Sequence, residues 1–150
     1  MGKVKLNEIA YIIMGQSPKS SSYNNNGDGI PFMQGKKTFG RLYPYYDVWT
    51  SEWSKEANIN DILFTVRAPV GDVNICCKKT AIGRGLAAIR PRNTNYRYLY
   101  YLLLSNKNLF SSLSSGSVFD SINKEKLANT ELLIHNLDAQ LHIVDTICYF

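Results

Sequence analysis

Between positions 61 and 89 the chain is written in short apolar runs separated by turn residues, a pattern that suits strands. Asp61-Ile62-Leu63-Phe64-Thr65-Val66 reads as a continuous apolar strand. Arg67-Ala68-Pro69-Val70-Gly71 reads as a turn, and Asp72-Val73-Asn74-Ile75-Cys76-Cys77 returns as a second strand. Together they predict a hairpin. Thr80 to Ile82 and Leu86 to Ile89 add two strand-like runs around Gly83-Arg84-Gly85.

The rest of the chain fits around that block. Leu6-Asn7-Glu8-Ile9-Ala10 is a short helical or extended opening, and Tyr11 to Met14 a strand stopped by Gly15-Gln16-Ser17-Pro18. Lys19 to Gly29 reads as a loop, Ile30 to Gln34 as a strand closed by Gly35, and Lys36 to Thr50 as aromatic and irregular. Apolar residues at Tyr96, Leu99, Tyr100, Leu103 and Leu104 have the period of a helix. Ser111 to Ser121 reads as a serine-rich loop, Asn123 to Ala128 as a short helix and Glu131 to Ile134 as a strand. In the last segment Leu137, Leu141, Val144 and Cys148 form one helical stripe, beside Gln140, Ile143 and Ile147, with Asn136 as its N-cap. That helix reaches Phe150 without Gly or Pro and reads as cut rather than terminated. The expected fold is mixed α/β (α+β), with a mainly antiparallel twisted sheet and flanking helices. The expected division is a body over 1–136 and a helix start over 137–150.

Composition narrows the class. A chain of 150 residues fits one domain that can build its own core. No run of about 18 apolar residues is present, so no membrane span is expected. Three cysteines, two of them adjacent as Cys76-Cys77, argue for a reducing compartment and hence the cytoplasm. On a strand those neighbours point to opposite faces and cannot readily share a metal. His135 and His142 are seven apart, a triad built on either has no nucleophile elbow or other local signature to support it, and no metal is expected. Gly83-Arg84-Gly85-Leu86-Ala87-Ala88 fits a loose dinucleotide pattern. However, Pro91 follows closely and no acidic residue appears until Asp120, so a turn presenting Arg84 is the better reading and no cofactor is expected.

Charge points to a partner. The net charge is +5, and from Val73 to Phe119 there is no acidic residue beside seven Lys and Arg. A polyanion is the natural ligand of such a stretch, because neutralising phosphates releases counterions. Basic and amide side chains also recur beside turns: Gln16, Gln34, Lys36, Lys37, Arg41, Arg67, Lys78, Lys79 and Arg84. Arg can grip guanine O6 and N7, Gln can grip adenine N6 and N7, and Lys suits phosphate. These nine are the candidate DNA contacts.

Several blocks, in order, resemble one family. They are Leu6-Asn7-Glu8-Ile9-Ala10 with Gly15-Gln16-Ser17-Pro18, Ile30-Pro31-Phe32-Met33-Gln34-Gly35, Asp61-Ile62-Leu63-Phe64 with Arg67-Ala68-Pro69-Val70-Gly71, Ala81 to Ile89, Ser121-Ile122-Asn123-Lys124, and finally Leu137, Gln140 and Ile143. The sequence resembles one target-recognition domain, with a truncated spacer helix, of the specificity subunit of type I restriction–modification systems. The likeness implies a non-catalytic reader of half of a split double-stranded DNA site. It also implies partners: DNA methyltransferase (modification) subunits, restriction subunits, and a second half-subunit or a homodimer. Where the family's spacer carries prolines and a Glu before its Gln, this chain has His135-Asn136 and Ala139. Two other readings stay open: the recognition module of a fused methyltransferase–nuclease, and a sugar- or peptide-binding module built on the tyrosines of 39–49.

Overall fold

The computed structural model describes residues 2–114 and 121–148. β1 (Gly2–Lys5) runs into a single helical turn, α1 (Leu6–Ile9), and then into β2 (Ala10–Met14). The turn is closed by the Glu8 carboxylate, which accepts the Lys5 backbone N–H at 2.9 Å. β3 (Tyr23–Asn24), β4 (Ile30–Met33), β5 (Trp49–Thr50) and β6 (Glu56–Ala57) follow. Next come β7 (Ile62–Thr65), β8 (Val73–Ile75), β9 (Thr80–Ile82) and β10 (Leu86–Pro91). α2 (Tyr96–Ser105), α3 (Lys107–Ser112), α4 (Lys124–Ala128), β11 (Glu131–Ile134) and α5 (Leu137–Cys148) complete the described chain.

One sheet has the order β2-β10-β7-β8 and is antiparallel throughout. The predicted hairpin is its β7–β8 pair, with Phe64 opposite Val73 and Ile62 opposite Ile75. A second sheet has the order β3-β5-β4-β9-β6, and within it β4 and β9 run parallel. Gly83-Arg84-Gly85 therefore does not close a hairpin. It carries the chain from β9 in the second sheet to β10 in the first. β1 and β11 form a separate antiparallel ribbon.

The first sheet is covered on both faces, which is why β7 is apolar without alternation. Ile62 and Phe64 point into one core with Leu99, Leu103 and Phe110, where Phe64 meets Phe110 edge to face at 5.0 Å. Leu63, between them, points the other way, into a second core with Met33, Ile82, Leu86 and Ala88. Period-two geometry sends successive side chains to opposite faces, and here both faces are dry.

Asparagine side chains cap α2, α4 and α5. The Asn95 side chain accepts the N–H groups of Arg97 and Tyr98 at 2.9 and 3.1 Å, and Asn123 does the same for Lys126 at 2.8 Å. Asn136 caps α5 as expected, accepting from Ala139 at 2.9 Å.

Two expectations need correction. Ser111 and Ser112 belong to α3, not to a loop, while 115–120 of that predicted loop lie outside the described residues. The inward face of α5 is also turned relative to the predicted stripe. Gln140 and Val144 are buried, whereas Leu137 and Leu141 are 49% and 46% exposed; the Cys148 side chain lies outside the described ones. The reason is a polar contact. Gln140 Oε1 accepts the Asn95 backbone N–H at 3.0 Å and its Nε2 donates to the His135 carbonyl at 2.9 Å, which pins that side of α5 to the start of α2.

Candidate nucleic-acid interface

Four chain segments that are distant in sequence meet where β2, β4 and β7 end and β9 turns into β10. Backbone hydrogen bonds lace them together. Gly15 N–H donates to the Leu86 carbonyl at 2.9 Å and Gln16 N–H to Ile82 at 3.0 Å. Gly83 N–H donates to Met33 at 2.9 Å, Gly85 N–H to Gln34 at 3.0 Å, and Val66 N–H to Gly85 at 3.0 Å. The approach is so close that a Cβ on Gly85 would overlap the Gln34 carbonyl. A glycine is needed there for space.

This junction gathers most of the predicted contacts. Gln16, Gln34, Arg67 and Arg84 all project from it and are exposed. Arg67 and Arg84 have no carboxylate partner among the described residues. Lys36 follows in the same strand-end loop, and its Nζ sits 3.0 Å from Asp72, at the far side of the β7–β8 turn. Lys37, 86% exposed in its side chain, lies 3.9 Å from Asp47. It borders a cleft of about 270 Å³ together with Gln34, Tyr23 and Phe32, whose two rings stack at 4.7 Å.

Three predicted contacts lie elsewhere. Lys78 and Lys79 precede β9, so they sit at the opposite end of the strand that leads to Arg84. Lys79 pairs there with Glu56 at 3.5 Å and Lys78 lies over the Tyr46 ring at 5.0 Å. Arg41 lies beside the open edge of the first sheet, where its carbonyl accepts from Tyr100 Oη at 3.4 Å and the next carbonyl, of Leu42, accepts from Ile75 at 2.7 Å.

The acid-free stretch is also less positive in space than in sequence. Asp61, buried, takes a two-toothed contact from Arg90, Nε to Oδ1 at 3.0 Å and Nη2 to Oδ2 at 2.8 Å, and this contact holds the Arg90 guanidinium even more firmly charged. Asp72 pairs with Lys107 as well as Lys36. Partial burial pushes the Asp72 carboxyl up, but the two ammonium groups outweigh it and hold the group below its ordinary value. Lys107, outside the predicted set, therefore joins the junction through Asp72.

Ser17 is the second residue that sequence reasoning missed. Its hydroxyl donates to Gln34 Oε1 at 2.5 Å and accepts the Arg84 backbone N–H at 3.2 Å. No local signal could have found it, because its partners are 17 and 67 positions away. The tyrosine-rich stretch does not act as one wall: Tyr43 and Tyr45 are exposed, while Tyr46 Oη is engaged with Thr80 and Cys77. Cys76 is buried, with its thiol pushed up to about 11 by that burial, and Cys77 is exposed. β10 rather than a helix follows the Gly83-Arg84-Gly85 turn, so these glycines face no helix N-terminus.

A family model described as "Type I restriction modification DNA specificity domain" matches residues 1–150. The chain is 44% identical over 131 residues to a Methanocaldococcus jannaschii protein named "Putative type I restriction enzyme MjaX specificity subunit", an alignment covering 86% of this chain and 31% of that protein. It superposes on the crystal structure of the HsdS subunit from Thermoanaerobacter tengcongensis with a TM-score of 0.88 at 40% identity, over 99% of this chain and 36% of that one. A chain from a structural study of complex assembly and conformational transition of the type I R-M system gives 0.88 at 42% identity, covering 99% and 37%. The chain thus spans about a third of the length of these relatives. With the mixed α/β fold, the ordered sequence blocks and the matched length in agreement, the chain belongs to the type I restriction–modification DNA specificity domain family.

Proposed function

We propose that this chain reads one half of a split double-stranded DNA site as a target-recognition domain and carries no catalysis of its own. The observation that carries the reading is the junction of strand ends, which brings Gln16, Gln34, Arg67 and Arg84 onto one surface, with Lys36 and Lys37 beside them. Exposed guanidinium and ammonium groups suit phosphates, and the amides and arginines suit base edges. Backbone hydrogen bonds make the mount rigid before DNA arrives, which limits the ordering cost on binding. On this reading Arg84, Arg67, Gln34 and Gln16 meet the duplex first. Lys36 and Lys37 flank it, and Arg41, Lys78 and Lys79 contribute through long-range charge.

The reading extends to the partners that such a domain serves. Modification methyltransferase and restriction subunits supply the chemistry, and the division into a reading body (1–136) and a spacer helix start (137–150) gives the second half-site reader its place. The exposed Leu137 and Leu141, one turn apart on α5, suit pairing with another helix, whether from a second half-subunit or a second copy of this chain. No helix among the described residues is long and apolar enough to cross a membrane, and the proposed place of work is the cytoplasm. Selection from a random duplex library tests the reading, with the chain alone and then with a modification subunit. A short enriched motif, bound with an affinity that falls steeply with salt, is the expected result. No enrichment in either setting overturns it.

A further inference from the structure

A glutamine amide has a carbonyl that accepts and an NH2 that donates. When it can rotate freely, both ends engage adenine, the carbonyl taking N6–H and the NH2 giving to N7. Gln34 is held. Its Oε1 accepts the Ser17 hydroxyl at 2.5 Å. Ser17 Oγ also accepts the Arg84 backbone N–H at 3.2 Å, so one hydroxyl ties the Gln34 amide to the Gly83-Arg84-Gly85 turn. The carbonyl end also lies over Gly83, where a Cβ would collide with Oε1. With the carbonyl engaged by Ser17, the NH2 is the end of the amide that is left to face outward. Gln34 is exposed, and its Nε2 has no protein acceptor among the described residues.

A donor facing outward is a different probe from a free amide. In the major groove guanine offers O6 beside N7 and thymine offers O4. Adenine sets an amino group beside its N7, and cytosine offers only an amino group. We propose that Ser17 is a positioning residue that turns the Gln34 carbonyl inward, so that Gln34 reads a keto base, through guanine O6 or thymine O4, instead of adenine. The proposal rests on the DNA-recognition reading above and reverses the adenine preference that the residue type alone suggests.

The test repeats the duplex selection with the wild-type chain and with Gln34→Ala, Ser17→Ala and Ser17→Thr, each checked for an unchanged melting temperature. One wild-type position is expected to hold guanine or thymine. Gln34→Ala loses that preference alone, Ser17→Ala admits adenine there, and Ser17→Thr, which keeps the hydroxyl, retains the wild-type choice. A purely structural role for Ser17 would not admit a new base at one position. The wild-type protein supplies a second measurement that needs no variant to fold. Replacing that guanine by 2-aminopurine, or that thymine by 5-methyl-2-pyrimidinone, removes the keto oxygen and weakens binding about tenfold, the effect of one good base contact. Adenine at the Gln34-dependent position, a motif indifferent to Gln34→Ala, or a keto preference untouched by Ser17→Ala overturns this proposal and leaves the DNA-reading intact. No motif at all from the wild-type chain overturns both.

Discussion

Strand β9 has basic residues at both ends, and the two ends treat them differently. Before it, Lys79 pairs with Glu56, and Arg90 on neighbouring β10 is bound to buried Asp61. Beyond it, Arg84 stands exposed on a turn that three other segments hold in place, with Arg67 beside it, and neither has a carboxylate partner among the described residues. The first end spends its cations on the fold, and the second leaves them for a ligand. Charge counted along the sequence merges the two, because the acids that neutralise Arg90 and Lys79 come from positions 61 and 56, outside the acid-free stretch.

The largest effect that would sharpen this contrast is on stability. Asp61→Ala removes a carboxylate that also accepts the Asn58 N–H at 2.8 Å, and it leaves Arg90 without its partner. Arg90 keeps 35% of its side chain in solvent, which lowers the usual cost of breaking a buried pair. The expected loss is about 2–3 kcal/mol by denaturant unfolding, with DNA affinity of the folded protein unchanged. A fully stable variant would show that Arg90 is not held for the fold.

Next in size is the opposite end. Arg84→Ala is expected to weaken DNA binding about tenfold and to reduce the slope of log affinity against log salt by about one if the contact is to a phosphate. Its melting temperature should stay unchanged. Unaltered affinity and slope would remove the distinction between the two ends.

Asp72 stands between these cases, since it lies at the reading end and neutralises Lys36 and Lys107. Asp72→Asn should cost about 1 kcal/mol of stability and tighten DNA binding severalfold at low salt, because two cations are released toward phosphate. Since the folded carboxyl sits below its ordinary value of 3.8, its contribution is complete at neutral pH. It falls as pH drops through 3.8 and is gone once pH passes below the depressed folded value. Unfolding of wild type and Asp72→Asn across that acid range should therefore converge; parallel curves would sink the assignment.

The smallest effect is expected from Lys79→Ala, which removes an exposed pair at 3.5 Å. Stability should change by less than about 0.5 kcal/mol, and DNA binding should change far less than in Arg84→Ala at the same salt. An equal loss of affinity would break the comparison outright.

Much of this was legible in the chain. Apolar runs broken by Gly and Pro marked β2, β4, β7 and β10, and single asparagines marked the starts of α4 and α5. Six of the nine predicted contacts fall at one junction because turns between strands of a common sheet system must emerge at its ends. What could not be read was pairing. Nothing local says that β4 runs parallel to β9, that α5 presents Gln140 inward in place of Leu141, or that Ser17 touches Gln34.

The sequence by itself determined which segments become strands and helices, which turns carry amides and cations, and that the chain as a whole favours an anionic partner, because propensity, period and charge are properties of residues in order. Only the tertiary structure decided which cations remain unpaired and which way the Gln34 amide faces. Those depend on contacts of 2.5 to 3.5 Å between groups far apart along the chain, and such contacts exist only once the sheets have closed.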